Sequence, residues 1–596
     1  MSRNRGTTVR WLLGLMCLLF SAVATAQLDR TNDVRVLIDV SGSMKQNDPH
    51  KLRAPALRLL VGLLPEGSEA GVWTFGQYVN MQVKHGRVDS HWKDRARAES
   101  KKIHSRGLFT NIEEALKRAT FGWLKPDVKT RRNLILLTDG RVDISRDAKK
   151  NAASRKRILE KLLPRLKKAG ARLHSIALSD GVDKDLLKRI SAATGGSYIQ
   201  VENAASLERA FLKLFEKTAP ADSLPIKGNR FKVDTSVQDM TVLVFRKENT
   251  PVKLISPQGK SFDDSHHPKN FAWHKEQSYE LVTVKKPGAG EWQVKGSKDS
   301  DNRVMIVTNL KLNTSELAPS ILSGDKLWLK AELLDKGKPI TRKSFLNLVS
   351  FETELNDDKR YMMQDTGEGA DSKKNDGSYS VDLTGKLSEG EQLITIRAKG
   401  PTFEREIRYS VDNFLGIVDI KLTEDEKSEY FYLSIIPHIE ILDPESIRME
   451  LKLKDGSHLN IRQEPGGLWL SEIDKKHEGK LVSINIKAKR YTGEAVEAEI
   501  KKKLVVKTNK NAHHQEAVSQ AEKEEENKGE EHPVDNKSEH EQSKEDEDHG
   551  ETNWFMIGWV TMVINLIAGI IGVLGFQFWK KKKAIQDEQD DKDVAL

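Results

Sequence analysis

The stretch Asp33-Val34-Arg35-Val36-Leu37-Ile38-Asp39-Val40-Ser41-Gly42-Ser43 decides how this chain is read. Val34 to Val40 is an apolar run of the kind that fills a parallel strand buried on both faces. Directly after it, the spacing D-x-S-x-S places Asp39, Ser41 and Ser43 on one side of a loop. Ligands of open parallel sheets bind beyond the carboxyl ends of their strands, so this loop is the first place to look for chemistry.

Working outward, apolar periodicity predicts a succession of strands and helices. Leu52 to Leu64 reads as an amphipathic helix after Pro49, and Ala70 to Phe75 and Val79 to Val83 read as strands. Asn111 to Leu124 is a helix, Asn133 to Thr138 a second buried strand, and Arg155 to Ala169 a strongly basic helix. Strands at Arg172 to Leu178 and Ser197 to Val201 alternate with helices at Asp185 to Thr194 and Leu207 to Thr218. The pattern predicts a doubly wound α/β unit over residues 30–220. Thr110 opens the loop before one helix, and Asp139-Gly140 ends a buried strand. Two carboxylates and three hydroxyls at strand ends make an all-oxygen site for a hard cation, Mg²⁺ or Mn²⁺.

In this order, Asp39, Ser41, Ser43, Thr110 and Asp139 match residue by residue the metal-ion-dependent adhesion site of the von Willebrand factor A family, which the unit resembles. The resemblance implies a Rossmann-like fold. It also implies a metal with one open position, filled by a carboxylate from a protein partner, and therefore binding rather than bond cleavage.

From Pro225 to Val506 alternating strands replace helical periodicity, with turn signals such as Pro257-Gln258-Gly259 between them. Three all-β immunoglobulin-like sandwiches of roughly 90 residues each are expected, at 226–310, 311–414 and 415–508. The segment Asp365 to Asp371, followed by Asn375-Asp376-Gly377, has two readings. Asp365, Asp371 and Asp376 could ligate Ca²⁺, or Asn-Asp-Gly could mark a tight hairpin turn. This pattern is similar to one in a sandwich of the calcium-activated chloride channel regulator family, whose layout also sets sandwiches after an A-domain. That family's protease motif, H-E-x-x-H, does not occur in this sequence.

The two ends of the chain predict a membrane protein. Residues 1–26 combine Arg3, Arg5 and Arg10 with an apolar run and Ala24-Thr25-Ala26, the make-up of a secretory signal peptide. Trp554 to Phe576 is an uncharged run long enough to span a bilayer, giving a single transmembrane helix at 554–577. Lys580 to Lys583 put the tail, 578–596, in the cytoplasm. Residues 509–553 hold 15 acids against 5 Lys, which predicts a disordered acidic stalk. The expected location is a bacterial inner membrane with the ectodomain in the periplasm, as in a proteobacterial group of A-domain membrane proteins that the chain resembles.

Composition narrows the function further. The 596 residues carry a net charge of +9 and one cysteine, Cys17, within the signal segment. That excludes a disulfide scaffold, a thiolate nucleophile or a Cys-ligated metal elsewhere in the chain. No G-x-S-x-G, Walker A or zincin motif is present, so the chain does not read as an enzyme. In the α/β unit, Lys and Arg outnumber acids by nearly two to one. Export argues against nucleic acid as the partner. A carboxylate-bearing protein is the leading partner; the rival is a structural envelope protein that touches an anionic cell-wall polymer through its basic surface.

Overall fold

The computed structural model describes residues 30–505, except 204–205, 219–220, 248–249, 425–427 and 465. All lie in the compact unit that runs to Lys507. The expected signal segment, stalk, membrane helix and tail lie outside the described residues. Among those described, no helix is long and apolar enough to cross a membrane.

The α/β unit is built on six strands: β1 (Thr31–Asp39), β2 (Glu69–Phe75), β3 (Val79–Arg87), β4 (Thr130–Thr138), β5 (Ala171–Ala177) and β6 (Tyr198–Gln200). Their order is β3-β2-β1-β4-β5-β6. All pairs are parallel except β2 with β3. The helices are α1 (Met44–Asn47), α2 (Arg53–Leu63), α3 (Ser90–Ser100), α4 (Ile112–Ala119), α5 (Ala148–Arg157), α6 (Leu163–Lys168), α7 (Lys184–Ala193) and α8 (Leu207–Thr218). One apolar core joins α2, α3 and α8 to one face of the sheet, and a second joins α4, α6 and α7 to the other.

Two expectations are corrected here. The basic helix starts earlier than its periodicity suggests and is interrupted by a π turn at Ile158–Leu162 between α5 and α6. And α2 is not amphipathic: Arg53, Ala54, Ala56, Leu57, Leu59, Leu60, Val61, Gly62 and Leu63 are all buried. The reason is a second covering layer.

That layer is the first sandwich. Its strands are β7 (Arg230–Val233), β8 (Val237–Phe245), β9 (Lys253–Ile255), β10 (Ser261–Phe262), β11 (Phe271–Lys275), β12 (Tyr279–Lys285), β13 (Gly290–Lys295) and β14 (Arg303–Thr308). They form sheets β10-β9-β13-β7 and β11-β12-β8-β14. Tyr279 and Leu281 of β12 join the core of α2 and α8, and Tyr279 Oη donates to the Pro55 carbonyl at 3.0 Å. A Cβ on Gly62 would lie 2.2 Å from Leu281 Cδ2, so any other residue there would make the Leu281 side chain give way.

Two further pairs of sheets follow, one built from strands between Leu310 and Phe414, the other from strands between Val418 and Lys503. Each pair encloses its own apolar core. Asp222–Leu224 ties the first two sandwiches together. Leu224 N donates to Val304 O at 2.8 Å and Ile306 N to Asp222 O at 2.8 Å, while Ser223 and Glu406 exchange two backbone bonds at 3.0 Å. Beside this tie, the fully buried Arg405 donates to Asp234 Oδ2 at 2.6 Å and to Ser236 Oγ at 2.8 Å.

Ion pairs join the α/β unit to all three sandwiches. Arg58 meets Glu276 through two bonds of 2.6 Å, Arg209 meets Asp299 at 2.8 Å and Glu216 meets Arg303 at 2.7 Å. Lys213 reaches Glu391 at 2.9 Å and Arg172 reaches Glu316 at 2.6 Å. Lys188 and Arg189 reach Glu440 and Glu445, both at 2.6 Å. Part of the basic character expected to serve an external partner is therefore used inside the molecule.

Candidate metal centre

Asp39 closes β1 and Asp139 follows β4, its neighbour in the sheet, so two carboxylates far apart in sequence meet at one edge. Both are buried. The loop after β1 folds back at once, with Ser41 N donating to Asp39 Oδ1 at 2.8 Å. Ser41 Oγ lies 3.1 Å from Ser43 Oγ, which donates to Asp139 Oδ1 at 2.8 Å. Ser43 precedes α1 without capping it through its side chain, so its hydroxyl is free for this chain of bonds.

Thr110 reaches the same place from a third loop. Its backbone exchanges hydrogen bonds with Asp143 at 2.7 and 3.1 Å. A Cβ on Gly140 would stand 3.3 Å from Thr110 Oγ1, so the residue after Asp139 leaves room for that hydroxyl. The supporting loop is pressed hard against the sheet: Gly107 N donates to Val40 O at 2.7 Å. A Cβ on Gly107 would fall 2.8 Å from the same oxygen.

Sequence reasoning missed three supporting residues. Thr138 Oγ1 donates to Asp39 Oδ2 at 2.6 Å, and Asn47 Nδ2 donates to Asp139 Oδ2 at 2.9 Å. Asn47 stands one helical turn after Ser43, a spacing that could have drawn attention to it. Behind them, the buried Arg53 donates to the Asp39 carbonyl at 3.2 Å and lies 3.2 Å from Asp48.

All four hydrogen bonds to the two side-chain carboxylates come from neutral groups. Burial, and next the charge of Asp139, push the Asp39 carboxyl up to about 6. Two like charges held together in a buried, oxygen-rich edge fit a hard divalent cation, which takes carboxylate and hydroxyl oxygens and neutralises the pair.

Two other clusters bring potential ligands together. Asp365, Asp371 and Asp376 each place a carboxylate oxygen within 4.8 Å of the others. Both readings of this segment have structural content, because backbone amides also hold the carboxylates. Gly377 N donates to Asp365 at 2.9 Å and Ser378 N to Asp376 at 2.9 Å, while Gly377 sits at φ 88°. Asp33, Glu69 and His85 form the other cluster, which sequence reasoning did not find. Asp33 is already occupied by Arg35 at 2.8 Å, His85 at 3.0 Å and Trp123 Nε1 at 3.1 Å. Burial alone would raise its pKa, yet the bonds from His85 and Arg35 hold it below the usual carboxylate value. This cluster is a satisfied ion-pair network.

The sheet and its carboxyl-edge crevice define an α/β domain of the doubly wound class with an acidic, hydroxyl-lined site. Residues 33–213 match the family model of the von Willebrand factor type A domain, and that segment is such a domain. Residues 217–309 match the Hemicentin galactose-binding domain-like family, a different description of the first sandwich from the immunoglobulin-like one expected. Human calcium-activated chloride channel regulator 4 is 24% identical over 405 residues, covering 62% of this chain and 41% of that protein. Among solved structures, a von Willebrand factor type A protein from Catenulispora acidiphila is 15% identical, with a TM-score of 0.27, over 52% of this chain and 63% of that one. Proximal thread matrix protein 1 from mussel byssus, in a form with a zinc-occupied MIDAS motif, is 17% identical, with a TM-score of 0.26, over 34% of this chain and 52% of that one.

Proposed function

We propose that the protein is a membrane-anchored, extracytoplasmic binding protein that captures a protein partner through a divalent metal held at Asp39, Ser41, Ser43, Thr110 and Asp139. The observation that carries this reading is the buried Asp39/Asp139 pair, bonded only to neutral donors, with the Asp39 carboxyl pushed up to about 6. When bound, Mg²⁺ or Mn²⁺ supplies a Lewis-acidic point to which a partner's carboxylate can bind. The protein's own part is positional. Thr138 and the Ser41 amide orient Asp39, Asn47 orients Asp139, and the hydroxyls present neutral oxygens that add no further negative charge against the incoming acid. Nothing in this arrangement positions a nucleophile or a general base, so the reading is binding and not catalysis. The signal segment and the apolar run at 554–577 support a location at the bacterial inner membrane with the ectodomain in the periplasm.

The structural-envelope alternative loses support from the ion pairs that engage Arg58, Arg172, Lys188, Arg189, Arg209 and Lys213 within the molecule. The test is Mn²⁺ binding to the full chain, followed by electron paramagnetic resonance, together with partner capture from membrane extract in Mg²⁺ or EDTA. Loss of bound Mn²⁺ and of the captured band in Asp39→Ala, with circular dichroism unchanged, is expected. Equal capture by wild type, by the variant and in EDTA would rule the reading out.

A further inference from the structure

The amino ends of the central strands face the sandwiches, on the edge of the sheet opposite the metal centre. A cavity of about 470 Å³ lies there, with Arg30, Arg131, Arg172 and Lys217 in one wall and Lys311 and Glu316 in the other. Its charge is unbalanced. Five Lys and Arg line it against three acids, and each acid is already engaged. Glu316 is shared between Arg172 at 2.6 Å and Arg131 at 3.1 Å. Burial would raise its pKa, but these groups and the charge of Arg30 hold it low. Glu66 faces Lys285 at 3.8 Å. Asp222, pushed up to about 6 by burial, accepts from Leu312 N at 2.8 Å.

Among the described residues Lys217 forms no direct hydrogen bond or ion pair; burial pushes its ammonium down, against the more distant charges of Asp412, Glu391 and Glu216. His174 in the same wall is pushed down to about 3, by burial first and then by the charges of Lys217 and Arg172, so it stays neutral. Arg131 and Arg172 share the single carboxylate of Glu316, so the cations of this wall are not matched one for one by direct ion pairs among the described residues.

We propose that the cavity is a binding site for a small anion of the carboxylate or phosphate class, held by Lys217 with Arg30 and Arg131. Its volume falls within the range of small-molecule sites, and an interdomain cleft is where such sites concentrate. A surplus of cations in a partly enclosed cleft focuses positive potential on whatever enters, and guanidinium groups match planar or tetrahedral oxyanions. The site is independent of the metal centre, so it should survive the loss of Asp39.

The experiment titrates citrate and, separately, inorganic phosphate into the full chain carrying Asp39→Ala and freed of divalent metal by dialysis, so that metal chelation by the anions plays no part. Calorimetry and the thermal midpoint are read against sodium chloride at equal ionic strength. Saturable heat and a raised midpoint with at least one anion are expected, with affinity reduced about tenfold or more by adding Lys217→Gln or Arg30→Gln. A response to citrate alone assigns a carboxylate ligand, and one to phosphate alone a phosphate. No response beyond chloride with either anion would overturn the proposal. So would a response that both variants leave unchanged while circular dichroism shows them folded.

Discussion

The carboxyl edge of the central sheet and the surfaces where the sandwiches dock treat charge in opposite ways. At the docking surfaces, outside the cation-lined cavity, acids and bases meet in ion pairs, as in Arg405 with Asp234 and Arg303 with Glu216. At the carboxyl edge Asp39 and Asp139 are buried together and hydrogen-bonded only to neutral groups. Paired charges hold domains together, whereas an unpaired pair lowers stability until something external neutralises it. The contrast marks one region as structural and the other as a binding site.

If that contrast holds, substitutions in the two regions should change stability with opposite sign. The largest effect is expected from Arg405→Met, which strands Asp234 beside a buried apolar side chain. Urea unfolding should show a loss of about 3–5 kcal/mol, and a change below 1 kcal/mol would dissolve the distinction. Asp39→Asn should act the other way in metal-free protein. The folded carboxyl titrates at about 6 against an ordinary 3.8, so the folded chain binds that proton more tightly than the unfolded chain. Metal-free stability is then favoured at low pH and lost as pH rises from about 4 through 6. At pH 7 the variant should be more stable than wild type by up to about 3 kcal/mol, an advantage that vanishes near pH 4. Saturating Mg²⁺ should stabilise only the wild type.

A packing test bears on docking itself. Gly62→Val drives a branched side chain into Leu281 and should cost about 2–3 kcal/mol by urea unfolding. The smallest effect is expected from Glu316→Gln, whose pairs with Arg131 and Arg172 are partly exposed; it should cost under about 1 kcal/mol and less still in high salt. In the second sandwich, Asp371→Asn should abolish any Ca²⁺-dependent rise in thermal midpoint while leaving Mn²⁺ binding at Asp39 intact. A Ca²⁺ response that survives the substitution would leave this loop as a turn alone.

Much of the α/β unit could be read from the sequence because its central strands are largely buried and appear as mostly apolar runs. Asp39, Ser41, Ser43 and Asp139 were accessible for the same reason, since each follows directly where such a run stops. Thr110 follows no strand and was placed only by opening the loop before a helix, so its part in the site leaned more on the family resemblance than the others did. The largely buried α2 was misread because its second covering face comes from Tyr279 and Leu281, more than two hundred residues away. Helix α3 was missed because only Trp92, Ala96 and Ser100 of its eleven residues are buried, a stripe too narrow and too polar to show periodicity. The surplus of basic residues was visible, but its division between internal pairs and open surface depends on tertiary contacts that no local pattern encodes.

The tie at Asp222–Leu224 has a mechanical meaning. A connector between domains usually acts as a hinge, because its backbone can turn without breaking anything. Here the connector is clamped along both edges, to Val304–Ile306 on one side and to Glu406 on the other. Swinging either sandwich about this point requires hydrogen bonds on two fronts to give way. The junction therefore works as a rivet, and the way the first two sandwiches sit against each other is set when the chain folds, before any partner arrives.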